Sequence, residues 1–121
     1  MDEQNKVIIY TASDGQTKID VKLEDETLWL TQAQMCELYQ TSRTNVVEHI
    51  KHIYEEGELE KEATCRNFRQ VREEGGRKVE REMTFYNLDM IIALGYRVRS
   101  IIATRFRQWA TQRLKEYITK G

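Results

Sequence analysis

The sequence predicts an α+β fold that contains a helix-turn-helix, an N-terminal β-hairpin, a basic wing-like hairpin and two C-terminal helices. Three observations predict this class. Residues 30–57 have the apolar spacing of two short helices joined by a polar turn. Residues 7–23 and 64–85 each read as a pair of strands around a Gly-containing turn. Residues 87–119 contain two further segments with helical apolar spacing.

The N-terminal hairpin begins with the apolar run at residues 7–10 and turns at residues 13–16, where Asp14-Gly15 stands at the centre. Residues 18–23 then alternate strictly between polar and apolar, as a strand with one buried face does. Residues 28–30 add a brief strand, and Trp29 is expected to be a core residue. These strands are expected to have a structural role only, with no catalytic or binding residues.

The two short helices have recognisable start signals. Thr31 is placed to cap the first helix, with Gln34 at the capping-box spacing. The polar turn at residues 40–42 offers hydroxyls that can start the second helix, which should stop at Gly57. The residues expected to be buried are Met35, Leu38 and Tyr39 in the first helix, and Val46, Val47, Ile50, Ile53 and Tyr54 in the second.

Such a helix pair is typical of DNA-binding proteins whose second helix enters the major groove, here the recognition helix 43–55. At about 100° per residue, the polar residues opposite the buried side would meet base edges: Thr44, Asn45, Glu48, Lys51 and His52. Arg43, in the turn, would reach a phosphate. An ordinary helical hairpin with a solvated outer face is the alternative.

Residues 64–85 predict a second hairpin with Gly75-Gly76 at its tip. Its arms carry six basic residues: Arg66, Arg69, Arg72, Arg77, Lys78 and Arg81. A basic hairpin after a helix-turn-helix has the composition of a wing, and Arg77 and Lys78 would contact backbone phosphates. Alternatively, the hairpin is simply solvated and its arginines pair with the glutamates at positions 73, 74, 80 and 82.

Asn87 is placed to cap a nearly all-apolar central helix that Gly95 would close. Ser100 would cap the last helix, at about residues 101–119, and Arg113 falls within its apolar stripe. That stripe comprises Ile102, Phe106, Trp109, Ala110 and Tyr117. Between the two helices, Arg97 and Arg99 belong to a compact cationic patch that would contact phosphates or, alternatively, pair with the acidic body.

The charge of the chain is unevenly distributed. The net charge is −1, which argues against nonspecific binding to polyanions. However, residues 97–121 carry seven Lys and Arg against one Glu, while residues 1–96 have a net charge of −7. This asymmetry predicts one face for an anionic partner and another that avoids it. The acidic residues at 55–62 must therefore face away from any bound DNA.

Several other classes lack support in the sequence. The start of the chain has no apolar run and no stretch is long enough to span a membrane, so a cytoplasmic protein with reduced Cys36 and Cys65 is expected. His49 and His52 lack the second ligand pair that zinc sites usually show. No nucleophile, phosphate loop or paired carboxylate motif is evident. We therefore expect no enzyme activity, cofactor, metal or small-molecule substrate.

Three runs of residues carry a family resemblance: WLTQAQMCELYQTSRTNVVEHIKHIYEEGEL, FYNLDMIIALGYRVRS and TRFRQWATQRLKEYITKG. They resemble the N-terminal region of the RhuM family of bacterial proteins, over about residues 8–121. The last helix also resembles the Bro-N and KilA-N type domains. The resemblance implies a virulence-associated, DNA-binding protein of a bacterial mobile element. Because members of this family are much longer, it also implies an N-terminal fragment.

Together these observations predict that residues 1–121 form a single winged-helix-like domain that binds double-stranded DNA and regulates transcription. A homodimer would suit a symmetric operator. The alternative is a protein-interaction module, such as an antirepressor or a toxin-associated adaptor, that does not bind DNA directly.

Overall fold

The computed structural model describes residues 6–120, with side chains described for residues 6–118. The strands are β1 (Lys6–Thr11), β2 (Lys18–Glu24), β3 (Thr27–Leu30), β4 (Cys65–Glu74) and β5 (Arg77–Asn87). The helices are α1 (Gln32–Tyr39), α2 (Arg43–Glu55), α3 (Lys61–Thr64), α4 (Leu88–Val98) and α5 (Ser100–Lys120). The predicted α+β class is confirmed, as are the N-terminal hairpin and the two C-terminal helices. The single-turn helix α3 was not predicted.

The five strands form one antiparallel sheet in the order β1-β2-β3-β5-β4. Strands β4 and β5 pair along their whole length, up to the pair Glu74–Arg77 at the tip. Gly75 and Gly76 lie between these two residues and both have positive φ, as a two-residue hairpin turn requires. The side chains in the outer half of this hairpin are mostly exposed. We call the hairpin, residues 65–87, the ribbon.

One face of the sheet is buried under helices. Ile19, Val21 and Leu23 alternate along β2 with residues that are exposed or half-buried, and they belong to the main core. Helix α4 is central because it packs against α1, α2, α5, β3 and β5, while α2 packs against α1 and α4. Phe106 of α5 meets Tyr10 of β1 edge-on, with 5.0 Å between ring centroids. The core thus joins the first strand to the last helix.

The helix starts have the predicted caps. The Thr31 hydroxyl accepts a hydrogen bond from the Gln34 backbone N–H at 3.2 Å, and the Gln34 side-chain oxygen accepts one from the Thr31 backbone N–H at 2.9 Å. Ser42 caps α2, since its hydroxyl accepts from the Asn45 backbone N–H at 3.1 Å. Asn87 caps α4 in the same way. Each cap satisfies a backbone donor that the first turn of a helix leaves free.

The prediction that Gly95 closes the central helix is wrong, because α4 continues through this residue. Gly95 is buried, and a Cβ atom there would clash with the Tyr39 phenol and stand 2.6 Å from the Ala103 Cβ. The glycine therefore permits a close approach of α1, α4 and α5. The predicted start of the last helix is also displaced by one residue: Ser100 is its first helical residue, and Arg99 is the break.

The other face of the sheet carries a smaller aromatic cluster. Trp29 is buried as predicted, but it lies outside the main core and packs edge-on against Phe68 at 5.3 Å. Phe68 in turn packs edge-on against Phe85 at 5.3 Å. The Arg66 guanidinium lies 4.6 Å from the centroid of the Trp29 ring, and the Lys22 ammonium lies 4.6 Å from that of Phe68. Two cations thus cover these rings, each at a distance typical of a cation–π contact.

Basic side chains of α5 find partners outside the core. Arg113, which the predicted apolar stripe includes, is half-buried and pairs with Glu116 at 3.1 Å. Arg105 donates a hydrogen bond to the Ser13 hydroxyl at 3.0 Å. Two basic side chains of the last helix are therefore engaged in an ion pair or a hydrogen bond within the molecule.

Candidate nucleic-acid interface

The connection between α1 and α2 is a three-residue turn, residues 40–42. Gln40 takes the left-handed backbone conformation, with φ 53° and ψ 54°, that glycine usually adopts at a helix end. The backbone N–H groups of Gln40 and Thr41 both donate to the Cys36 carbonyl oxygen, which the end of α1 would otherwise leave free. These bonds, together with the Ser42 cap, fix the direction in which α2 leaves the turn.

The residues predicted to contact bases lie on the outer side of α2. Four of them are exposed: Thr44, Glu48, Lys51 and His52. Asn45 is half-buried, and its side-chain amide donates to the Thr41 hydroxyl at 2.8 Å. The Nε2 atom of His52 lies 3.9 Å from the Glu48 carboxylate, one turn earlier. This outer side is not covered by any strand or helix in the described residues.

Val47 departs from its predicted burial, since 40% of its surface is exposed. Val46, Ile50 and Ile53 are the residues that α2 buries. Because adjacent helical residues are about 100° apart, Val47 cannot share the direction of Val46. The helical wheel indicates this exposure, since Ile50 and Ile53 point in nearly the same direction as Val46 and Val47 does not. Val47 is therefore a surface residue that the sequence analysis missed.

Arg97 lies at the end of α4 and binds two carboxylates of the acidic segment that follows α2. Its guanidinium donates to Glu56 at 2.7 Å and to Glu58 at 2.9 Å. The hydrogen bond from Arg97 lowers the pKa of the Glu56 carboxyl, and the bonds to Glu56 and Glu58 raise the pKa of Arg97. Arg97 thus holds two acids of the cluster at residues 55–62. A phosphate would have to compete with both of them.

The basic residues of the ribbon divide into paired and unpaired groups. Ion pairs join Arg66 to Asp25 at 2.6 Å, Arg69 to Glu80 at 3.8 Å and Arg81 to Glu74 at 2.8 Å. Arg72, Arg77 and Lys78 are exposed and form no ion pair within the described part of the chain. The ion pairs with ribbon glutamates that the second interpretation predicts are therefore present at Arg69 and Arg81, whereas phosphate contact by Arg77 and Lys78 stays a prediction.

The predicted site residues occupy three places in the structure. Six of them lie on α2, two lie at the junction of α4 and α5, and two lie beside the ribbon tip. Glu56 connects the first two places, since it follows α2 and binds Arg97. Arg99 is exposed at the helix break. No hydrogen bond or ion pair among residues 6–118 joins Arg77 or Lys78 to α2.

Several other chemistry-bearing residues lie at the base of the ribbon. A groove of about 600 Å³ lies at the base of the ribbon and is lined by Lys61, Glu62, Cys65, Arg66, Asn67, Thr84 and Tyr86. Burial raises the pKa of the Cys65 thiol and also that of Cys36, so neither is a ready thiolate near neutral pH. Within the described residues, no three metal-ligating side chains cluster, and no helix is long and apolar enough to cross a membrane.

Residues 63–121 match the model of the Virulence protein RhuM family. No curated protein and no solved structure matches the chain significantly. The matched residues include the ribbon, α4 and α5, whereas the predicted resemblance also extended upstream to about residue 8. Residues 63–121 are thus similar to the Virulence protein RhuM family, which confirms the predicted resemblance for this part of the chain.

Proposed function

We propose that this chain is a sequence-specific domain that binds double-stranded DNA, with α2 as the recognition helix in the major groove. The observation that carries the proposal is the outer side of α2, where Thr44, Glu48 and Lys51 are exposed on a helix whose opposite side is firmly packed. A rigid convex helix with hydroxyl, carboxylate and ammonium groups fits the major groove in shape and chemistry. In this proposal the domain serves transcriptional regulation on a bacterial mobile element.

Four exposed cations are the proposed phosphate ligands: Arg43, Arg77, Lys78 and Arg99. They form no ion pair within residues 6–118, so they can bind phosphate without first losing a carboxylate partner. Arg97 is a weaker candidate because Glu56 and Glu58 already occupy its guanidinium. Its proposed role is to neutralise part of the acidic segment that would otherwise repel the duplex.

Selection from a pool of randomised duplexes at two salt concentrations tests this function. We expect selected duplexes to share a motif and to bind more weakly as salt rises, because each phosphate contact contributes about −0.9 to the log–log slope. Arg43→Ala should weaken binding to all duplexes alike, whereas Asn45→Ala should change the preferred sequence. If both variants bind the pool as the parent does, α2 is not the recognition helix.

Asn45 requires a matched control because its amide also bonds to Thr41. Thr41→Val removes the same hydrogen bond while it leaves the amide in place. We expect Thr41→Val to keep the parental sequence preference. If it alters the preference as Asn45→Ala does, the effect of Asn45 is structural and not a base contact.

The ribbon tip is tested by the salt dependence of DNA binding. Replacing Arg77 and Lys78 by Ser should reduce the magnitude of the log–log slope by up to about 2. Replacing Arg69 and Arg81 by Ser removes the same charge from the same hairpin, but these two arginines are ion-paired. The control should therefore change the slope less. Equal changes would mean that only the net charge matters and that the tip makes no specific contact.

A protein-interaction module is the second candidate function, and the exposed apolar residues of β1 favour it. Val7 and Ile9 are each 58% exposed and lie on the same face of an edge strand. A module of this class, such as an antirepressor or a toxin-associated adaptor, would not bind the duplex pool even at low salt. Replacing Val7 and Ile9 by Thr should then abolish its association with a partner or with a second copy, as measured by sedimentation.

A further inference from the structure

Val47 is an apolar residue among the polar residues on the outer side of α2. It stays 40% exposed although α2 buries three other aliphatic residues, so the core does not account for its position. Isolated apolar residues on a surface are common. The surroundings of Val47 distinguish it from such cases.

Helical geometry places Arg43 one turn before Val47 and Lys51 one turn after it, in a single row along α2. Both cations are exposed, and neither forms an ion pair within the described residues. We call these three residues the Val47 row. It combines an apolar centre with a free positive charge at each end.

The neighbouring row on α2 differs in charge and pairing. It consists of Thr44, Glu48 and His52, and the last two lie 3.9 Å apart. A carboxylate in this row would be repelled by phosphates unless it met a base amino group. Of the two rows, the Val47 row is therefore the better match to a groove whose walls are phosphates.

We propose that the Val47 row lies deepest in the major groove and that Val47 contacts the C5-methyl group of a thymine. This inference rests on the proposed function and adds the identity of one contacted base pair, which contains a thymine. The thymine methyl is the apolar group that a base pair presents in the major groove. Valine suits it because its χ1 angle is nearly fixed in a helix, so little side-chain freedom is lost on contact. Arg43 would reach a phosphate beside the contacted base, and Lys51, one turn after Val47, would meet the edge of a neighbouring base.

The test replaces each thymine of a selected duplex, one at a time, by deoxyuridine, which lacks only the C5-methyl group. We expect the parent protein to lose about fourfold in affinity at one thymine of the recognised site, as for one methyl group removed from an apolar contact. Val47→Ser should bind thymine and uracil equally well at that position. Serine and valine have similar helix propensities, and position 47 is exposed, so this variant should fold like the parent.

Val71→Ser is the matched control, because Val71 is an exposed valine on the ribbon and lies outside the Val47 row. It should keep the parental response to uracil. The inference is overturned if the parent shows no position sensitive to uracil, or if Val47→Ser still discriminates at the sensitive position. In either result the duplex is still bound, so the proposed function stands. Failure to select or bind any duplex would overturn the proposed function and this inference together.

Discussion

At Gly95, the absence of a side chain determines how closely three helices approach. A Cβ atom there would clash with Tyr39 and crowd Ala103. Overpacking a core usually costs about 1–3 kcal/mol, and Ala gains about 1 kcal/mol over Gly in helix propensity. We therefore predict that Gly95→Ala lowers the free energy of unfolding by a net amount of up to about 2 kcal/mol. Urea unfolding of the two proteins measures the difference.

Tyr39→Phe provides the control for Gly95→Ala. It removes the hydroxyl that a Cβ at position 95 would meet, together with the hydrogen bond that this hydroxyl donates to the Ile91 carbonyl at 2.7 Å. In the double variant the clash is partly relieved, so the loss of stability should be smaller than the sum of the single losses. Strictly additive losses would contradict the close-contact explanation.

The bond between Arg97 and Glu56 makes a prediction about pH. The pKa of Glu56 lies below its ordinary value of 4.5 in the folded protein, mainly because Arg97 donates a hydrogen bond to it. Between the folded-state pKa and about pH 4.5, the unfolded chain therefore binds more protons than the folded one. The stabilising effect of Glu56 is present above about pH 4.5 and is lost as the pH falls through the folded-state pKa. Glu56→Gln should thus be less stable than the parent near neutral pH, and the difference should vanish in acid.

Urea unfolding from about pH 7 to about pH 3 measures this difference. Glu55→Gln is the matched control, since Glu55 is the preceding residue, is exposed and forms no ion pair within the described residues. It should differ little from the parent over the whole series. A Glu56→Gln effect that persists unchanged in acid would show that the ion pair with Arg97 is not its source.

Among the secondary-structure elements, the ribbon is stabilised mainly at its base. Deleting residues 70–73 together with 78–81 removes four residues from each strand, so the alternation of the two faces is kept. Most of the deleted side chains are exposed. We predict that the free energy of unfolding changes by less than about 1 kcal/mol, as measured by thermal or urea unfolding.

Phe68→Ala is the contrasting variant on the same ribbon. Phe68 packs edge-on against both Trp29 and Phe85, and Lys22 lies over its ring. Its loss should cost about 2 kcal/mol, since it is half-buried and takes part in two aromatic pairs. If the eight-residue deletion destabilises the protein more than Phe68→Ala does, the outer half of the ribbon contributes to the fold.

Elements with a strong local signal were predictable from the sequence. Thr31 and Ser42 start helices through hydrogen bonds to residues three positions later, and Gly75-Gly76 forms a turn through its own backbone freedom. The role of Gly95 was not predictable, because a glycine near the end of an apolar run suggests a helix end. A glycine is needed here because any side chain would clash with Tyr39, which is distant in the sequence. Local chemistry reveals caps and turns, but not close contacts between helices.

The candidate site was predictable to a similar degree. The helical wheel identified the outer side of α2, and four of its five polar residues are exposed. The same wheel also separates Val47 from Val46, Ile50 and Ile53, so its exposure was predictable although the two adjacent valines had both been assigned to the core. Arg97 binds Glu56 and Glu58, which lie 41 and 39 residues away in the sequence, so no local pattern indicates these contacts.

The whole molecule has one principal core, to which every strand except β4, and the helices α1, α2, α4 and α5, contribute buried residues. Phe106 is fully buried within it and contacts Tyr10 on the first strand. We predict that Phe106→Ala lowers the free energy of unfolding by about 3–5 kcal/mol, a large part of what a domain of this size possesses. Because the core is shared, far-UV circular dichroism and tryptophan fluorescence should report the same unfolding midpoint.

Ile101→Ala is the control for this prediction, since Ile101 belongs to the same helix but is largely exposed. It should change the free energy of unfolding by no more than about 0.5 kcal/mol. Different midpoints from the two spectroscopic probes would mean that parts of the molecule unfold separately, contrary to a single cooperative core.

The layered arrangement has a consequence for how many ligands the molecule can hold at once. Helix α2 packs on α1 and α4, which in turn contact the sheet, so its outer side and the uncovered sheet face with Val7 and Ile9 lie on opposite sides of the molecule. A duplex seated on one would leave the other accessible. If α2 binds a duplex as proposed, a single copy would be able to bridge that duplex and a protein seated on the Val7 and Ile9 face in a ternary assembly.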